Sequence, residues 1–162
     1  MRAVCTAACL VAALTGASLA PAQGLPVKKT LTLEIAQNLA EGALASCRGS
    51  GYKVSVLIVD DGDHALLFLH DDGATNATSE LAQLKAASVI LLGRASGPPA
   101  NLPAGAPVPP PVVPGTVNIQ GGVPIMVDNQ LIGAVAVSGA PGGDKDAACA
   151  RAGLAKVADQ LH

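Results

Sequence analysis

Between Pro98 and Pro114 the chain reads "PPANLPAGAPVPPPVVP", a run that holds most of its 12 prolines. A proline ring fixes φ and removes the backbone N–H, so neither a helix nor a ladder strand survives at this density. The segment 98–115 is expected as an extended, polyproline-like surface loop, a stiff connector rather than a partner-binding stretch. Regular structure must therefore lie on either side of it.

Upstream, Thr32 is placed to N-cap a helix with Glu34 in its first turn. Leu33, Ala36, Leu39, Ala40, Ala43, Leu44 and Cys47 follow at three-and-four spacing, and Gly49 and Gly51 stop the helix. "YKVSVLIVDDGDHALLFLH" then predicts a β-hairpin turning at Asp60–His64. A second helix is expected to start at Thr78 or Ser79 and end at Gly93, with Leu81, Leu84, Ser88, Leu91 and Leu92 on its inner face. Downstream of the proline run, Val123–Val127 and Leu131–Val137 read as a second hairpin, because Asp128 and Asn129 tolerate a left-handed backbone. Asp144 or Asp146 is expected to open a last helix, with Ala150, Leu154, Val157 and Leu161 inward. With a short strand near Val117–Ile119 the order is α-β-β-α-β-β-β-α. This predicts an α+β domain, an antiparallel sheet of about five strands with helices packed on it.

The 162 residues contain one Phe, one Tyr and no Trp, so any core is built of small aliphatics. Such a core buries less area per residue, and subunit contacts are expected to supply part of the missing stability. A net charge of −2 leaves no basic face for nucleic acid.

The N-terminus has the layout of a secretory signal. Met1-Arg2 is a short positive region, Ala3–Leu14 an apolar one, and Ala20-Pro21-Ala22 places small residues at the cleavage positions. Residues 1–22 are expected to be removed, leaving one domain over 23–162, exported to the periplasm or beyond. The apolar stretch falls short of the ~20 residues a membrane span needs, so the processed chain is not expected to cross a membrane. Cys5 and Cys9 leave with the signal. Cys47 and Cys149 remain for an oxidising compartment, either as a disulfide between the first and last helices or as two buried thiols.

"LTLEIAQNLAEGAL", "VSVLIVDDGDHALLFLHDDGA", the Lys85 helix ending in "LLGRASG", "GGVPIMVDNQLIGAVAVSGAPGGDKD" and "CARAGL" together resemble the GlcG/HbpS family. This is the haem-degrading-domain family that also supplies the C-terminal domain of PduO-type proteins. The resemblance spans nearly all of residues 23–162. It implies a profilin-like layout, symmetric homo-oligomers and, for some members, binding of haem or another tetrapyrrole outside the cytoplasm. The chain departs from the family pattern after the second strand, where His70-Asp71-Asp72-Gly73-Ala74 replaces an arginine followed by Met-Asp-Gly-Ala. Its proline-rich loop is also longer.

Five residues are singled out as ligand-binding candidates: His70, Lys85, Gly139, Gly142 and Gly143. His70 ends a strand beside two aspartates, either as an axial haem ligand or general base, or as a surface histidine in a polar turn. Gly139, Gly142 and Gly143 permit a backbone nest at a helix N-terminus, suited to a haem propionate or a small hydroxy acid. The alternative is that Asp144 or Asp146 fills that nest from within. Lys85 matches a lysine of the family pattern. It either pairs with an aspartate of the first hairpin, faces a ligand carboxylate, or is solvated. Asp60, Asp61, Asp63, Asp71 and Asp72 form an acidic cluster that reads as a solvated turn, without the full loop of a calcium site. No Ser-His-Asp order, CxxC pair or P-loop is present, and no residue demonstrates catalysis. The expected function is tetrapyrrole binding, with haem as the cofactor and haem breakdown as a consequence of iron binding. The competing reading is an oligomeric binder of a small hydroxy acid or other carboxylate.

Overall fold

The computed structural model describes residues 27–99, 101–108 and 113–162. The expected signal peptide, residues 1–22, and residues 100 and 109–112 of the proline-rich stretch lie outside the described residues. Helix α1 spans Leu33–Gly49, and the Thr32 hydroxyl accepts the Ile35 N–H at its start, as a cap should. Strands β1 (Ser55–Asp60) and β2 (Ala65–His70) form the first hairpin. Helix α2 spans Asn76–Leu92 and ends on left-handed Gly93. Strands β3 (Gly122–Val127) and β4 (Gln130–Ser138) form the second hairpin, turning through Asp128 and Asn129 at φ of 47° and 62°. Helix α3 covers Gly143–Lys156, and a single 3₁₀ turn follows at Ala158–Gln160.

The sheet is antiparallel throughout, in the order β2-β1-β4-β3. It has four strands rather than about five. The extra strand was expected near Val117–Ile119, but the Val117 N–H donates to the Ser88 hydroxyl at 2.7 Å in place of a strand partner, and that hydroxyl shares its hydrogen between the Leu84 and Val117 carbonyls at 2.7 and 3.1 Å.

Side-chain alternation along the central strands builds two cores. Val56, Ile58, Val135 and Val137 face α1 and α3, while Leu57, Val59, Ala134 and Ala136 face α2. Both faces of β1 are covered, which explains its nearly continuous apolar run. Gly153 lets α3 lie close on α1, because a Cβ there would strike the Leu39 carbonyl. Cys47 and Cys149 form a disulfide across the same contact, with Cα atoms 5.5 Å apart.

The inner face of α2 differs from expectation. Ala82, Ala86 and Val89 pack on the sheet, whereas Leu91 and Leu92 are 58% and 39% exposed. Small side chains let the helix sit close to a sheet face that is itself rich in alanine. The start of α2 also lies two residues earlier than expected, because the Thr78 hydroxyl donates to the Thr75 carbonyl and Ser79 turns toward β2.

The acidic residues of the first hairpin separate into distinct pairs. Asp60 accepts the Gly62 and His64 N–H groups and closes the turn, and Asp61 pairs with Lys28. Asp71 is buried and accepts from Arg48 Nη2 and Nε at 2.7 and 3.1 Å. Its second oxygen makes no hydrogen bond, and Lys53 Nζ lies 3.7 Å away. Among the described residues no three acidic, histidine or cysteine side chains gather to hold a metal. The Arg48 hydrogen bond, aided by its charge, holds the Asp71 carboxyl below its ordinary value. A folded-state value below the unfolded one gives stability that is present above the unfolded value and is lost as pH falls through the folded one. Arg48→Met is therefore expected to move the acid-unfolding midpoint, followed by circular dichroism, to higher pH. An unchanged midpoint would show that other carboxylates set the acid limit.

Candidate functional site

His70 closes β2 on the side of the sheet that faces α2. Its neighbours across the strand pair are Ser55 and, one pair further along, Leu57 opposite Phe68. The Phe68 and His70 rings stack with centroids 6.4 Å apart. Beyond Phe68 lies a groove of about 460 Å³ lined by Leu57, Val59, Asp63, Ala65, Phe68 and Gln83. Ser79 and Gln83 stand one helical turn apart on α2, so the helix borders both His70 and the groove. The lining is mostly apolar, with Phe68 40% exposed. Asp63 is its one acid, and burial, with Asp60 nearby, pushes that carboxyl up.

The hydrogen-bond pattern assigns hydrogens around His70. Thr78 Oγ1 donates to the Thr75 carbonyl at 2.7 Å. Ser55 Oγ, 2.7 Å from Thr78 Oγ1, must then donate to Thr78, whose own hydrogen is already committed. Ser55 is left as an acceptor toward His70 Nδ1 at 2.9 Å, while Ser79 Oγ, 3.2 Å from the same nitrogen, can donate or accept. On the other side, Nε2 lies 3.1 Å from the Ala74 carbonyl, which can only accept. An Nδ1–H held by an outer partner fixes the ring orientation of a metal-binding histidine and leaves Nε2 as the metal-facing atom. His70 is exposed, and against the Ala74 carbonyl Nε2 can only donate, so a metal at Nε2 requires it to give up both that hydrogen and the Ala74 contact. The apolar groove, the stacked aromatic ring and this anchored imidazole fit the requirements of haem.

The other candidates fall elsewhere. Lys85 is 1% exposed, and its Nζ donates to Asp146 Oδ2 at 2.7 Å and to the Val137 carbonyl at 2.9 Å. It pairs neither with the first hairpin nor with solvent, because α2 carries it under the end of β4. Gly139 and Gly142 take φ of 132° and 135°, and Gly143 begins α3. The N–H of Ala140, between them, donates to Asp146 Oδ1 at 2.8 Å. The turn thus directs its backbone at the chain's own carboxylate. Neither Asp144 nor Asp146 caps α3, whose N-cap is Gly142 without a side-chain bond. Burial pushes the Asp146 carboxyl up, while the Lys85 hydrogen bond and charge oppose that rise. No helix among the described residues is long and apolar enough to cross a membrane.

Ser55 and Thr78, which orient His70, carry no mark in sequence, since they sit 15 and 8 residues from it on different elements. A hydroxyl at an inward strand position, opposite a histidine at a hairpin end, is the one signal that could have pointed to Ser55.

Known proteins share this arrangement of elements. A crystal structure of HbpS superposes with a TM-score of 0.68 at 34% identity, covering 84% of this chain and 97% of that one. A crystal structure of a PduOC:heme complex shares the fold at 23% identity and a TM-score of 0.68, covering 79% of this chain and 95% of its own. Protein GlcG of Escherichia coli K12 is 28% identical over 114 residues, which is 70% of this chain and 85% of that protein. Residues 31–155 match the family described as haem degrading protein HbpS-like, and the chain belongs to that family.

Proposed function

We propose that this chain is an exported haem-binding protein, holding haem along the groove between the first hairpin and α2, with His70 Nε2 as the iron ligand. The observation that carries the reading is the anchored imidazole of His70, stacked on Phe68, which lines an apolar groove. Membership of a family described by haem degradation supports it. Leu57, Val59, Ala65 and Phe68 would bury the macrocycle, and Ser55 would keep the imidazole oriented. Bound haem would supply iron-centred redox chemistry. Export agrees with the Cys47–Cys149 disulfide, since such bonds persist in oxidising compartments. Assembly into homo-oligomers belongs to the same reading, supported by exposed Leu91, Leu92 and Met126.

Haemin titration followed by visible absorbance tests the proposal. The wild-type chain is expected to give a saturable Soret shift, and His70→Ala to weaken binding by about tenfold or more, as loss of a ligand or its support does. A wild-type chain with no saturable shift would overturn haem binding. A shift unchanged in the variant would remove His70 from the site.

A further inference from the structure

We infer a second binding site, for a small organic dianion such as a dicarboxylate, in the pocket where the end of α2 meets α3. The pocket holds about 320 Å³ and is lined by Arg94, Ala95, Ser96, Pro98, Gln120 and Arg151, among others. Its charge carries the argument. Two arginines line one cavity, and no acidic residue is among its lining. Arg94 Nη1 donates to the carbonyls of Ala95 and Gly97, which hold its position without neutralising it. All 12 Asp and Glu side chains of the chain fall among the described residues. None of them pairs with Arg94 or Arg151; the acidic partners elsewhere go to Lys28, Lys29, Arg48, Lys53, His64, Lys85 and Lys156.

Geometry separates this pocket from the glycine turn. There, the nest already receives Asp146, and Asp146 is balanced by Lys85. Among the described residues Arg94 and Arg151 have no acidic partner, whereas Lys145 beside the glycine turn lies over the Tyr52 ring. Each guanidinium presents a planar fork that matches a carboxylate in two parallel hydrogen bonds. Ala95, Pro98 and Ala147 supply an apolar wall for a short carbon skeleton, which favours an organic diacid over a bare inorganic anion. Gln120 adds an amide able to donate to an oxygen or accept a hydroxyl. The site stands on its own residues and does not depend on haem.

Calorimetric titration of the full chain with malonate tests it, with inorganic phosphate and acetate titrated in parallel. Saturable malonate binding is expected, tighter than that of phosphate or acetate. Arg94→Gln and Arg151→Gln are each expected to weaken malonate binding by about tenfold or more, the effect of a lost charge-assisted pair. Lys28→Gln, which removes a positive charge away from the pocket, should leave it unchanged, and all of these variants should keep the wild-type haemin response. Absence of saturable malonate heat, or malonate binding retained in the Arg94→Gln/Arg151→Gln double variant, would overturn the site. Tighter binding of phosphate than of malonate would overturn the dicarboxylate assignment.

Discussion

Replacing Cys47 and Cys149 together by alanine is expected to lower stability by about 4 kcal/mol, one of the largest single losses available to this fold. The bridge joins residues 102 apart in sequence and ties α1 to α3. A cross-link of that span removes much of the chain entropy of the unfolded state, and a loop of ~100 residues sits near the top of the expected range. Both cysteines are buried in the principal core, so the substitution also leaves small voids between two helices. For a domain of this size the loss corresponds to a fall in Tm of roughly 10–20 °C. Thermal unfolding of the double variant against the oxidised wild type, followed by circular dichroism, measures it. A fall equivalent to less than ~1 kcal/mol would show that the bridge contributes little beyond the α1–α3 packing around it.

Lys85→Met is expected to destabilise by about 3–5 kcal/mol at neutral pH, because it leaves Asp146 charged and buried without its counter-ion. Against a typical total of ~5–15 kcal/mol, that loss threatens folding itself. The pH dependence identifies the cause. Burial already pushes the Asp146 carboxyl up, and removing Lys85 takes away the largest effect opposing that rise. A folded-state value above the unfolded one means that the native state binds the proton more tightly. The stability so gained is present below the unfolded value and is lost as pH rises through the folded one. The deficit of Lys85→Met should therefore narrow as the solution is acidified. Adding Asp146→Asn removes the orphan charge and keeps an acceptor for Ala140, and should recover half the loss or more. Urea unfolding at several pH values checks both points. A deficit that is constant with pH, or a double variant no better than the single, would assign the loss to packing rather than to charge.

Much of the fold was legible because its signals are local. The Thr32 cap, the Asp128-Asn129 turn and the alternation in β3 and β4 each involve residues close in sequence. His70 stood out for the same reason, as a titratable group at a hairpin end. The misreadings arose where distant groups decide the outcome. Ser88 takes both backbone groups of Val117, 29 residues away, and so a strand is lost. The inner face of α2 was assigned to four leucines and Ser88; Ser88 is buried, yet the most deeply buried long side chain is Lys85, whose partner lies 61 positions on. Helical periodicity counts apolar residues and has no means of reading a lysine as an inward residue. The pairing of Cys47 with Cys149 stayed open because spacing alone does not set a Cα separation. Arg94 and Arg151 gave no signal at all, since nothing but the folded chain brings the turn after α2 beside the body of α3.

The ends of the sheet limit how copies of this chain can join. Neither β2 nor β3 has a second strand partner among the described residues. A long regular edge would offer its unpaired backbone groups to another molecule and grow into a fibre. Here β2 carries an irregularity in its register against Ile58 and Val59, with Leu66 as the extra residue. At the opposite edge, β3 contains Pro124, which has no N–H to offer, and its register shifts between Ile125 and Met126. Both open edges are poor templates for strand addition, so a second copy would have to dock through side-chain surfaces rather than extend the four-stranded sheet.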